Sequence, residues 1–210
     1  MLVNASRFTD VQGRLRNRIS DFVDNVRNAV AVDGGKGAAA LRNPEIAALH
    51  NVYLQEYAQD SPDWTHIQSR LHEVLVSAKI VEVNASKRSR PLDYDQGGEN
   101  GVTVIAVGGF SLSRGLTLEG LTVSYFQRNS MMYDTLMQMG RWFGYRPGYE
   151  DLCRIWMPAD GVGWYRHIHE AAEDLQAQLK RMELVRATPE QFGLAVRSHP
   201  ETLVVTARNK

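Results

Sequence analysis

The chain has 210 residues, 43% hydrophobic and 23% charged, which excludes general disorder and allows one domain with a substantial core plus a small appendage. Formal net charge is zero, so no overall basic field advertises a polyanion, although a local groove retains that capacity. The one cysteine, Cys153, excludes a disulfide framework; no apolar run reaches bilayer length and no basic-then-apolar leader opens the chain, so a soluble cytoplasmic protein with no membrane partner is expected.

Strand-like runs stand near both ends, Leu2-Val3-Asn4-Ala5 and Leu203-Val204-Val205, which points to a segment of a longer protein. Residues 1–8 read as a strand. Thr9-Asp10-Val11-Gln12 has the capping-box pattern, and Val11, Leu15, Ile19, Phe22, Val26 and Val30 then follow at helical spacing. Asp33-Gly34-Gly35-Lys36-Gly37 ends that helix. Its GGKG is not a phosphate loop, because it follows a helix and Gly37 stands at the Ser/Thr position; a flexible linker is the expectation. Asn43-Pro44 and Ser61-Pro62 are cap-then-proline helix starts. The second of these helices carries Trp64, Ile67, Leu71, Val74 and Leu75 on one face. A strand is expected near 79–85, followed by a polar loop at 86–101 carrying Lys87, Arg88 and Arg90, either a solvated loop or a phosphate contact.

Val102 to Val107 and Leu121 to Phe126 are continuous apolar runs, as in strands of a parallel sheet buried on both faces. Between Met131 and Phe143 a helix is expected. Met132, Leu136, Met139 and Phe143 form its apolar face and Asp134, Gln138 and Arg141 the opposite one. Arg146-Pro147-Gly148 is a turn, Leu152 to Met157 a strand, and 161–185 a helix with Leu175, Leu179 and Met182 on its apolar side. Thr188-Pro189-Glu190-Gln191 caps a short final helix. Alternating strands and helices predict an α/β fold with a doubly wound, mainly parallel sheet over 1–160 and a helical C-terminal extension over 161–210. Ligands in such sheets bind beyond the carboxyl ends of the strands.

Two arginine-bearing turns stand out. In Ser111-Leu112-Ser113-Arg114-Gly115-Leu116-Thr117, glycines permit close backbone approach, and backbone N–H groups and hydroxyls can hold an anion. Arg141 lies near a helix end and Arg146 in the turn after it; paired guanidinium groups can stabilise a transferring phosphoryl group, or pair with Glu150 or Asp151.

The order of GGFSLSRGLTLEGL, strand, helix and QMGRWFGYRPGYEDL resembles the second RecA-like domain of superfamily 2 helicases, SRGLTLEGLTVSYF matching its motif five and QMGRWFGYR its motif six. The opening strand with Ser6-Arg7-Phe8 resembles motif four. More narrowly, the two central motifs resemble the Z1 domain of bacterial, defence-related proteins classed as endonucleases. The resemblance implies an ATP-driven DNA translocase or helicase half. Arg141 and Arg146 would be arginine fingers on ATP held by the first RecA-like domain, with Gln138 near the nucleotide. Arg114, Gly115 and Thr117 would be cofactor-binding, Gly115 and Thr117 lying in the motif that couples nucleotide state to the DNA strand; Arg7, Lys87 and Ser111 would meet the DNA backbone. The motifs depart from the family in placing the second arginine five residues after the first rather than three, and the glutamine two before the glycine rather than three. Thr117 stands where an aspartate is common. No Walker A loop and no Asp-Glu strand end are present, so ATP with its magnesium is expected on a domain outside this chain, and the chain alone should be inactive.

Two other function classes compete. A metal-dependent endonuclease needs clustered carboxylates; Asp63 and Glu82-Val83-Asn84 come nearest, with Asn84 where a lysine should be. His167 and His169 are two apart on a helix and do not share a face. The third class is a non-catalytic interaction scaffold.

Overall fold

The computed structural model describes residues 1–6, 8–59, 62–83, 101–109, 120–127, 133–140 and 147–193. In chain order these form β1 (Leu2–Asn4), α1 (Thr9–Asp33), a 3-10 segment (Gly34–Arg42), α2 (Pro44–Glu56) and α3 (Trp64–Ser77). Then follow β2 (Lys79–Val83), β3 (Val104–Gly108), β4 (Val123–Phe126), α4 (Tyr133–Gly140), β5 (Arg154–Trp156), α5 (Ala159–Leu184) and α6 (Pro189–Phe192). The chain divides into two compact units, Met1–Phe126 with Tyr145–Ile155, and Gln127–Gly144 with Trp156–Lys210.

The first unit holds an all-parallel sheet of order β2-β3-β1-β4-β5, consistent with a RecA-like α/β arrangement. Its strands are short and apolar, and the central ones are buried, with Leu2, Val3, Ala106 and Val107 at most 2% exposed. Because β1 lies between β3 and β4, the connection after β3 passes β1 to reach β4, whereas the connection after β1 runs the opposite way to β2.

Helix α1 packs on the face of the sheet that carries Glu82. Arg16 Nε lies 3.3 Å from Glu82 Oε1, and a Cβ on Gly13 would come within 3.5 Å of the same oxygen. Its buried residues are Gln12, Val23, Val26 and Val30, while Val11 and Phe22 are 41% and 56% exposed. The apolar stripe expected from periodicity is therefore rotated by one residue in the first turns. The cause is local: the Gln12 side-chain amide donates to Ser6 O at 2.9 Å and turns that position inward. Thr9 is not a cap. Phe8 occupies the N-cap with no side-chain hydrogen bond, so the expected capping box is absent there.

The Gly34-Gly35-Lys36-Gly37 stretch is not a linker. It opens a 3-10 segment that breaks at Gly37 (φ 57°, ψ −136°), a conformation that favours glycine. Gln68 of α3 crosses to this segment and donates to Gly34 O at 2.8 Å and Gly37 O at 3.0 Å. Beneath it, Val26, Val30, Ala40 and Ile46 form a core against which Leu41, Leu49, Trp64, Leu71 and Leu75 pack. Each fully buried aliphatic side chain there contributes about 1.5–3 kcal/mol. Asn43 caps α2 as expected, accepting from Glu45 N at 3.0 Å, with Pro44 in the first turn. For α3 the cap is Asp63, which accepts from His66 N at 2.8 Å, not Ser61. Proline at 62 leaves the next residue, a stronger acceptor, at the cap.

In the second unit, α4 buries Tyr133, Leu136 and Met139, and α5 buries Gly161, Ile168 and Ala171. Leu175 and Met182 are half-buried, but Leu179 is 40% exposed, so the apolar stripe of α5 fades toward its end. Thr188 and Gln191 form the expected reciprocal cap of α6: Thr188 N donates to Gln191 Oε1 at 3.0 Å and Gln191 N to Thr188 Oγ1 at 3.4 Å.

Candidate functional site

Four strands end level. The register pairs Val83 with Gly108, Gly108 with Asn4, and Asn4 with Phe126, so the carboxyl ends of β2, β3, β1 and β4 form one row. The chain leaves this row toward Arg7 after β1, Lys87 after β2, and Ser111, Arg114, Gly115 and Thr117 after β3. Those residues, with Arg141 and Arg146, lie outside the described residues.

At the root of the β1 turn, Ser6 Oγ accepts from Phe8 N at 3.1 Å and Ser6 O accepts from Gln12, so the turn is tied at two points. Asn4 ends β1 fully buried, and neither its Oδ1 nor its Nδ2 has a hydrogen-bond partner. Leaving such a group unpaired costs about 1–3 kcal/mol. Its register partner Gly108 has no side chain to offer, and Phe126 on the other side has no polar group there.

Gln138 is the candidate residue that the described structure includes. It stands exposed on α4 with Asp134, on the face opposite buried Leu136 and Met139, as the sequence pattern predicts. The last described turn of α4 is held by α5. Tyr165 Oη donates to Leu136 O at 2.9 Å, and burial pushes the Tyr165 phenol well above its ordinary pKa, keeping it a neutral donor. In the first described turn of α4, Tyr133 meets His167 edge-on with ring centroids 5.7 Å apart.

The nearest nuclease-like carboxylates have structural work. Asp63 caps α3 and Glu82 pairs with Arg16. His169 faces Glu173 at 3.5 Å while His167 packs on Tyr133, and among the described residues no group of three His, Cys, Asp or Glu side chains is placed to hold a metal. Cys153 is half-buried in the turn before β5. Next to it, Arg154 is a structural clamp: its Nε reaches Glu56 Oε2 at 3.2 Å, and its guanidinium lies 4.5 Å from the Tyr57 ring centroid. Burial raises the Tyr57 phenol above its usual pKa, with the charge of Arg154 pulling the other way. Sequence reading did not single out Arg154, Tyr165 or Asn4.

A parallel α/β sheet with its strand ends aligned defines the class of domain. The chain belongs to the Z1 domain family, whose model matches residues 1–203. No curated protein and no solved structure matches the chain. Among the described residues, no helix is long and apolar enough to cross a membrane.

Proposed function

We propose that this Z1 domain is the second RecA-like half of an ATP-dependent DNA translocase or helicase-like motor. Arg141 and Arg146 are its arginine fingers and Gln138 lies beside the nucleotide. Arg114, Gly115 and Thr117 couple nucleotide state to the DNA, and Arg7, Lys87 and Ser111 meet the DNA backbone. The observation that carries the reading is the level row Val83, Gly108, Asn4, Phe126. Arg7 follows Asn4 and Ser111 follows Gly108 by three residues in the chain, so both belong to connections that start from that row. The carboxyl edge is also where ligands of parallel sheets bind. The exposed polar face of α4 supports the same reading, since it leaves the Gln138 carboxamide open to a nucleotide held by another domain.

ATP and magnesium belong on the first RecA-like domain, outside this chain. When bound, they supply the phosphoryl group to be transferred. The residues of this chain contribute positive charge at that group and grip on the DNA phosphates. Backbone binding of this kind is sequence-tolerant and weakens steeply with salt.

The test is DNA-stimulated ATP hydrolysis by the protein that carries both halves. Arg141→Ala is expected to lower turnover about 10³-fold, the scale of an arginine finger. The isolated 210-residue chain should not hydrolyse ATP. Arginine-dependent turnover by that chain alone overturns the split-site reading, and metal-dependent nicking of DNA by it favours the nuclease instead.

A further inference from the structure

A cavity of about 280 Å³ lies between the 3-10 segment and α3. One wall is the bare backbone of Gly35 and Gly37 beside Leu41; the other is α3, through Trp64, Thr65 and Gln68. It stands apart from the strand row. Helix α1 passes Glu82 at Arg16, and at Arg27 it reaches Leu75 O (3.0 Å) and Ala78 O (3.4 Å), just ahead of β2. The 3-10 segment continues onward from there, so the cavity lies beyond the amino ends of the strands.

Gln68 gives the cavity its polarity. The residue is only 7% exposed, and its Nε2 donates to two carbonyls, Gly34 O and Gly37 O. Both partners are acceptors, which fixes the amide's orientation and turns Oε1 away from them. Among the described residues Oε1 has no hydrogen-bond partner, yet it is not shut off from solvent as Asn4 Oδ1 is. The Thr65 hydroxyl, three residues earlier, is likewise without a partner among them. Residues three apart share a helix face, so acceptor and donor stand side by side on one wall. No charged side chain lines the cavity among the described residues.

Those features select an occupant. It must give a proton to Gln68 Oε1 and take one from Thr65 Oγ1 on a single edge. A trans peptide group cannot, because its N–H and C=O point in opposite directions. A phosphate has no counter-charge here. A Cβ at Gly35 or Gly37 would meet nothing within 4 Å, so the gap admits a flat ring, with Leu41 and Trp64 as apolar surfaces. A flat, uncharged ring with a donor beside an acceptor is the hydrogen-bonding edge of a nucleobase.

We propose that this cavity binds a nucleobase, Gln68 Oε1 accepting its N–H and Thr65 Oγ1 donating to the acceptor beside it. The site is separate from the strand row and independent of the arginine-finger assignment.

In the experiment the full chain is titrated with uridine and with adenosine, each compared with a form methylated on the donating nitrogen. The Trp64 indole N–H is followed by NMR, identified among the four tryptophans by its loss in Trp64→Phe. A saturable shift with at least one nucleoside is expected, and methylation should weaken its binding about tenfold or more. Thr65→Val, which keeps the shape and removes the hydroxyl, should weaken it about three- to tenfold. Gln68 is left unaltered because it also holds the Gly34 and Gly37 carbonyls. An oligodeoxynucleotide of the same base that competes with the nucleoside shows the base arriving in a strand; one that does not shows a free nucleoside, and both uphold the site. No saturable Trp64 shift up to about 10 mM of either nucleoside, equal binding of the methylated form, or full affinity in Thr65→Val overturns the proposal. The methylation comparison uses the unaltered protein, so it decides even where a variant fails to fold.

Discussion

Glycines stand after α1 and at the last described position of α4, and they are there for different reasons. After α1 the demand is on the backbone. Gly37 takes a positive φ with nothing within 4 Å of where its Cβ would sit, and the segment is then stapled by polar groups. Asp33 accepts from Lys36 and from Asn43, and Gln68 holds the carbonyls of Gly34 and Gly37. In α4 the demand is on space. Gly140 has ordinary helical geometry, and its missing Cβ makes way for an aromatic ring. The first is a polar staple around an unusual conformation; the second is a ring seated against a regular one. Sequence reading takes Gly37 as part of a linker and Gly140 as part of the QMGRWFGYR motif, and their surroundings give each its physical reason.

Three measurements can break that contrast. The largest effect is expected from Gln68→Leu, which removes both bonds to the 34–37 carbonyls and should cost about 3 kcal/mol in urea unfolding. A loss below about 1 kcal/mol would mean that solvent serves those carbonyls as well as Gln68 does. Next come the two neighbouring glycines. Gly37→Ala should cost about 1–3 kcal/mol for its positive φ, whereas Gly35→Ala, also with nothing within 4 Å, should change stability by less than about 0.5 kcal/mol. Equal losses at both positions would locate the demand elsewhere. The smallest effects lie in pH dependence, and the two glycine sites should respond at opposite extremes. Hydrogen bonds from Lys36 and Asn43 lower the Asp33 pKa below 3.8, so its contribution is present above that value and is lost as pH falls below it. Burial raises the Tyr165 phenol above 10.0, so its contribution is present below that value and is lost as pH rises above it. Asp33→Asn should flatten the acid limb of the stability profile and Tyr165→Phe the alkaline limb; the reverse pairing would refute the comparison.

The strands were legible because each is a short apolar run: β2 lies within the expected 79–85, β4 falls inside its predicted run, and β3 starts two residues later than its run and ends one beyond it at Gly108. Their spatial order was not legible, since it joins β1 to β3 and β4 more than a hundred residues away, and no local pattern encodes that pairing. The face of α1 was misplaced because periodicity counts only apolar residues, and the buried position in its first turn belongs to Gln12. At the candidate site, the α4 pattern placed Gln138 on the exposed face, which the structure bears out. The importance of Gly140 was invisible, because it is defined by Tyr165, 25 residues further along the chain.

The level strand ends have a consequence for how this edge accommodates change. Adjacent strands stand about 4.8 Å apart, so the four ends from Val83 to Phe126 mark a straight line about 14 Å long. Every connection on that side is rooted on the same line. Residues inserted after β2 would lengthen one connection without displacing the roots of its neighbours, and the register beneath would be untouched. The edge therefore separates tolerance from alignment: lengths above it are free to differ while the spacing of their starting points is set by the hydrogen-bonded ladder.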